Sequence, residues 1–337
     1  MTVPYQQWFP DAAFDGRYGY DLAALRAIRP TAPPAGFDEA WTRLRREADL
    51  ADVSPVLREL DAIDGRRVFE LEHGTTDDLR LRAWLALPAR GTARVGIVQS
   101  HGYGGRDAPD FSRVPDDAAV VFPVARGLGA LNVGVGAPDR PAHVLHGIDS
   151  IERYVLVRCA ADLWSVADAL TEVVGSLPMY YVGESFGGGI GALALPWDDR
   201  YVGATLIVPS FGQNALRLEL PCEGSGEIVR GHVERHPEAR DVLRFADAAA
   251  AATRLRIPVR VEAALWDTVV PPPGQFAVAN AVEFASRAGS GAELELEVLP
   301  AGHAEYPGRD AVTASAVAAG REHLERAVAG ASARTCS

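Results

Sequence analysis

The chain has 337 residues, a formal net charge of -12 and no lysine, so all 33 of its strongly basic side chains are arginine. That balance argues against nucleic acid as a partner, since binding it needs a positive footprint to neutralise phosphates. Cys159, Cys222 and Cys336 are scattered without a C-x-x-C, which suggests neither a disulfide framework nor a zinc site.

The start, MTVPYQQWFP, carries neither a basic n-region nor an apolar h-region, and Arg126 interrupts the longest weakly polar stretch. The expectation is a cytoplasmic protein with reduced thiols and no membrane span. Residues 1–60 are punctuated by Pro10, Pro30, Pro33 and Pro34 and hold a helical stretch at 37–48, capped by Asp38 or the turn before it. They read as an arm packing on a main body at 61–330, with a tail at 331–337. Strand-like segments at 67–72 and 79–87 are joined by HGTTDD as a hairpin. From Arg94 the pattern changes: strand-like runs at 94–99, 119–124, 180–182, 203–208, 259–264 and 294–299 alternate with helical ones at 150–174, 186–195, 275–287 and 311–328. Such alternation predicts an α/β fold with a mostly parallel sheet covered on both faces and its sites at the carboxyl ends of strands. An insertion at about 212–253 breaks the rhythm with the loop PCEGSG, a charged helical patch at 227–235 and an amphipathic one at 238–252. An insertion of this kind serves as a lid, an oligomer contact or a plain surface excursion.

Within MYYVGESFGGGIGAL, an apolar run ends in Gly183-Glu184-Ser185-Phe186-Gly187 and passes into small residues suited to a closely packed helix. This G-x-S-x-G between strand and helix is the nucleophile elbow of α/β hydrolases, where a strained turn lifts the serine hydroxyl above the sheet. A serine hydroxyl needs a base, and the base needs an orienting group, in the chain order Ser, Asp or Glu, His. Asp267 follows IPVRVEAALW and His303 follows LELEVLPAG, each just past a predicted strand. Taken singly, Asp267 suits a turn or a helix N-cap and His303 a surface loop. Jointly, the three occupy three strand ends in the required order. An oxyanion hole needs two donors; the Phe186 amide supplies one, and the glycine-rich turn in VGIVQSHGYGGR offers Tyr103 as the other. HGYGG also reads as a tight turn alone, and His101 as structural. His143 and His146, in the loop 137–148, read as solvated.

These residues resemble the acetyl xylan esterase and cephalosporin C deacetylase family of carbohydrate esterases. The similarity runs along the chain: PPAGFDEAW at 33–41, His101-Gly102-Tyr103, Arg126-Gly127, the elbow at 183–188, Arg244-Phe245-Ala246-Asp247, Asp267-Thr268-Val269-Val270-Pro271-Pro272, and Gly302-His303. The resemblance implies an α/β-hydrolase fold. It assigns Ser185, Asp267 and His303 as nucleophile, acid and base, with the Tyr103 and Phe186 amides as the oxyanion hole. It further implies no cofactor or metal, a small acylated substrate, and ring-like hexamers. The chain departs from the family pattern at Phe186 and Leu128, each in place of Gln, and at Ala304, which intervenes before Glu305. The expected activity is removal of a small acyl group, most simply acetyl, from an O-acetylated sugar or natural product. The same triad also serves a tailoring acyltransferase, a lactonase or a thioesterase. A non-catalytic binding scaffold usually lacks a triad member, and none is missing here.

Overall fold

The structure, a computed structural model, describes residues 3–335, so Cys336 lies outside them. Nine strands form one sheet in the order β1-β2-β3-β5-β4-β6-β7-β8-β9. β1 (Val56–Glu59), β2 (Arg67–Gly74) and β3 (Arg80–Leu87) run antiparallel, and β3 joins β5 antiparallel. β4 (Val95–Gln99), β5 (Ala118–Pro123), β6 (Met179–Glu184), β7 (Tyr201–Ile207), β8 (Pro258–Ala264) and β9 (Glu293–Leu299) are mutually parallel. Every residue of β4 and β5 is buried, as strands covered on both faces require. β1 was not foreseen. Its four residues, VLRE, are all exposed, so no buried face marks it in the sequence; its backbone pairs along the β2 edge, helped by the Arg58–Glu70 ion pair.

The short helices α1 (Tyr5–Trp8) and α2 (Leu22–Arg26) precede α3 (Phe37–Asp49), with α4 (Gly129–Asn132) after β5. α3 begins at Gly36, whose φ of 77° is the left-handed conformation glycine tolerates. Asp38 is therefore not its cap; it lies in the first turn, where a negative charge suits the helix dipole, and pairs with Arg254. Trp41 is fully buried, meets Trp164 edge-on at 6.2 Å and donates to Phe245 O at 3.0 Å.

α5 (Val155–Val174) starts later than its sequence pattern, because residues 150–154 turn back on Ser150 O first. α6 (Phe186–Ala194) follows the elbow. The insertion holds α7 (Asn214–Arg217), α8 (Ser225–Arg235), α9 (Ala239–Phe245) and α10 (Ala248–Ala252). The last two, expected as one amphipathic stretch, are separated at Asp247. Its buried carboxylate accepts from Ala249 N and Ala250 N as an N-cap, and also from Gln213 N, Asn214 N and Thr31 Oγ1. α11 (Pro272–Arg287) starts on prolines, which suit a first turn. α12 (Arg309–Thr335) covers the opposite face of the sheet through Leu324 and Ala327. Cys159 and Cys222 are buried free thiols. Among the described residues, no helix is long and apolar enough to cross a membrane.

Candidate active site

Ser185 sits at the end of β6 with φ 53° and ψ -109°, a strained conformation for a residue with a Cβ. The surroundings hold it there: Ser185 N donates to Ile207 O at 2.8 Å, and Ser185 O accepts from Gly189 N and Ser210 N, both at 3.0 Å. The turn is so tight that a Cβ at Gly183 would stand 2.5 Å from Gly187 O, and one at Gly187 would stand 2.9 Å from His101 O. These clashes are the steric reason for the flanking glycines.

His303, in the loop after β9, places Nε2 3.0 Å from Ser185 Oγ and Nδ1 2.7 Å from Asp267 Oδ2. The proton on Nδ1 is donated to the carboxylate, which leaves Nε2 to accept the serine proton. Asp267, in the turn after β8, is fully buried. Its Oδ1 accepts from Val269 N at 2.9 Å and Val270 N at 3.0 Å, and its Oδ2 also accepts from Gln275 Nε2 at 3.0 Å. Gln275 is held in turn by Ala264 N, which donates to its Oε1 at 2.8 Å. A Cβ on Gly302 would stand 2.1 Å from Asp267 Oδ2, so only glycine lets the base loop close on the acid. The N-terminal arm backs the same turn: Asp267 N donates to Gly16 O at 3.0 Å, Phe9 stacks on Trp266 at 3.8 Å, and Trp8 stacks on Tyr306 at 5.4 Å.

The loop after β4 reaches the serine, since a Cβ on Gly102 would stand 3.8 Å from that of Ser185. Tyr103 N and Phe186 N, the latter at the first position of α6, donate to no protein acceptor among the described residues. His101 is structural. Its Nε2 accepts from Ala125 N at 3.0 Å and its Nδ1 donates to Gly102 O at 2.7 Å; burial pushes its pKa down to about 4, so the imidazole braces the loop as a neutral ring. Phe186 is 1% exposed and packs against His101, Tyr103, His143 and Phe211. An amide-to-aromatic change at this position is therefore absorbed by an aromatic cluster behind the site. His143 belongs to that cluster. Far from solvated, it is completely buried, with Nε2 donating to Arg126 O at 2.9 Å and its pKa pushed down to about 4 by burial. His146 is exposed as expected.

Electrostatics set the state of His303. Burial disfavours a charged His303, but its hydrogen bond to Asp267 and the charges of Asp267 and Glu184 outweigh this and raise its pKa. A base works only when unprotonated, so kcat/KM should rise with pH along an acid limb centred above the ordinary histidine value of about 6.5. Glu184 is exposed at the end of β6. We predict that Glu184→Gln, which removes one anion near the imidazole, moves this limb to lower pH. A pH profile of kcat/KM with an unmoved midpoint would count against the charge effect.

The structure thus brings together Ser185, Asp267, His303, Tyr103 and Phe186, all singled out from the sequence. It adds Gln275 and Glu184, for which the sequence held no signal beyond a glutamine eight residues past Asp267 and a glutamate beside the serine. Solved structures similar to this chain include three that bear on its fold. The acetyl xylan esterase 1 of Thermoanaerobacterium sp. JW/SL YS485 is 20% identical, with a TM-score of 0.76 over 90% of this chain and 98% of that one. The acetyl xylan esterase of Paenibacillus sp. R4 is 18% identical, with a TM-score of 0.75 over 89% and 99%. The acylaminoacyl peptidase of Pyrococcus horikoshii is 13% identical, with a TM-score of 0.58 over 82% of this chain and 42% of that one. These likenesses establish an α/β-hydrolase fold. A family model reaches further, because it matches residues 20–290, a span that contains Tyr103, Ser185, Phe186 and Asp267 though not His303. The chain belongs to the acetyl xylan esterase family.

Proposed function

We propose that the protein is a serine esterase that removes an acetyl group from an alcohol oxygen of a small O-acetylated molecule. The hydrogen-bonded run from Asp267 through His303 to Ser185 carries this reading. His303 Nε2 takes the hydroxyl proton as Ser185 Oγ attacks the ester carbonyl, and Asp267 holds the ring in the tautomer that leaves Nε2 free. The Tyr103 and Phe186 amides receive the developing oxyanion, aided by the positive end of α6. Collapse of the tetrahedral intermediate expels the alcohol, which takes the proton from His303. Water, deprotonated by the same imidazole, then attacks the acetyl-serine; the bond to Ser185 Oγ breaks, Oγ takes the proton back from His303, and acetate leaves.

A series of p-nitrophenyl esters of increasing acyl length tests the acetyl assignment. We expect kcat/KM to be highest for acetate and to fall with chain length. Faster turnover of butyrate or octanoate would overturn the acetyl assignment while keeping the esterase one.

A further inference from the structure

We infer that Arg217, at the end of α7, anchors a carboxylate carried by the ester substrate. The inference rests on the esterase reading and adds the class of ester. Arg217 is 9% exposed. Among the described residues its guanidinium makes no hydrogen bond and no ion pair, and its Nε is wholly shielded without a partner. A buried cation left unpaired is far costlier than a surface one. The nearby Glu227 feels the Arg217 charge but pairs with Arg230 and accepts from Cys222 N, and Glu223 accepts from Thr268 Oγ1 at 2.7 Å.

The position is built. Asp247 holds the first turn of α7 through Gln213 N at 3.2 Å and Asn214 N at 2.8 Å. The guanidinium lies flat on Gly226, where a Cβ would meet Nη2 at 2.0 Å and Cζ and Nη1 at 2.4 Å. On one side is Tyr154, whose buried hydroxyl also lacks a partner. Burial raises its pKa, Arg217 acts in the opposite direction, and Tyr103 is close enough to add to the rise. The Tyr103 ring lies 5.6 Å from that of Phe186. On the other side, the segment leaving α7 is tied to the acid turn by Glu223 N donating to Thr268 O at 2.7 Å. Arg217 therefore packs on the segment that meets the acid turn, where a Cβ on Gly224 would stand 3.8 Å from Val269, and it makes no ion pair of its own among the described residues. One guanidinium balances one negative charge, and its planar fork matches a carboxylate, which favours a monoanionic acid over a phosphate dianion.

The test compares 4-acetoxybenzoate with 4-acetoxybenzamide, which differ in the charge they carry. Wild type is expected to prefer the carboxylate by about tenfold to a hundredfold in kcat/KM, the range of a hydrogen bond to a charged group. Arg217→Gln should bring the ratio to about one, and Arg217→Lys should keep part of it. If wild type cleaves both esters equally, or if Arg217→Gln leaves the preference intact, the anchor is overturned and the esterase reading stands. If neither ester is cleaved, the esterase reading fails for these substrates and benzoate decides the anchor: a rise in Tm for wild type and none for Arg217→Gln supports it, and no rise for wild type overturns it.

Discussion

Replacing Ser185 by alanine is expected to lower acetyl ester hydrolysis by about 10⁴- to 10⁶-fold and leave the fold intact. The magnitude follows from how such constellations act as a unit: without the nucleophile, the base and the acid have nothing to activate, and only binding and the oxyanion amides remain. The fold should persist because the backbone at 185 is held by Ile207 O, Gly189 N and Ser210 N, none of which involves the hydroxyl. Alanine also inherits the same positive φ, so the strain is unchanged. The measurement is kcat/KM for p-nitrophenyl acetate beside a thermal melt. A variant that melts like wild type yet keeps more than about a hundredth of the activity would remove Ser185 from the mechanism.

The largest effect on stability is expected at Arg126. This arginine is 2% exposed and pairs with Asp162 of α5 and with Asp77 of the β2–β3 connection, two bonds to each carboxylate. Burial alone would push the Asp77 carboxyl up, but the Arg126 guanidinium holds it down to about 2. Arg126 O also receives the His143 ring, so the residue joins the hairpin, α5 and the aromatic cluster behind the oxyanion loop. Arg126→Met leaves two carboxylates facing each other with one of them buried, and it should cost about 3–5 kcal/mol, as breaking a buried pair from one side does. Because the folded pKa of Asp77 lies below its unfolded value, this carboxylate stabilises the wild type above its unfolded pKa. That contribution fades as the pH falls toward 2. Urea denaturation at pH 7 checks the prediction; a loss below about 1 kcal/mol would mean that the carboxylates find water or other partners.

By itself, the sequence determined those features that rest on neighbouring residues. Near-continuous apolar strands such as VGIVQ and AAVVFP need cover on both faces and so imply a parallel sheet with helices. The glycines around Ser185 are demanded by a turn only a few residues long. Asp267 and His303 were legible because each directly follows a strand, and parallel strands deliver their ends to one edge. What the sequence missed depends on residues far apart in the chain. Nothing around Gly16 says that its carbonyl receives Asp267 N, or around Gly302 that a methyl there would strike a carboxylate 35 positions earlier. β1 is exposed on every residue and carries no buried face to read. His143 looked like a loop histidine because its burial comes from Phe186 at the start of α6 and Tyr103 in the loop after β4. Asp247 split one apparent helix into two because its carboxylate is shared with α7 and Thr31. Periodicity and turn chemistry are properties of a short stretch of chain, whereas burial and charge pairing exist only once the sheet has brought distant segments together. Arg217 makes the distinction plain: in the sequence it is one of 33 arginines, and only the folded chain withdraws it from water and leaves its charge unpaired.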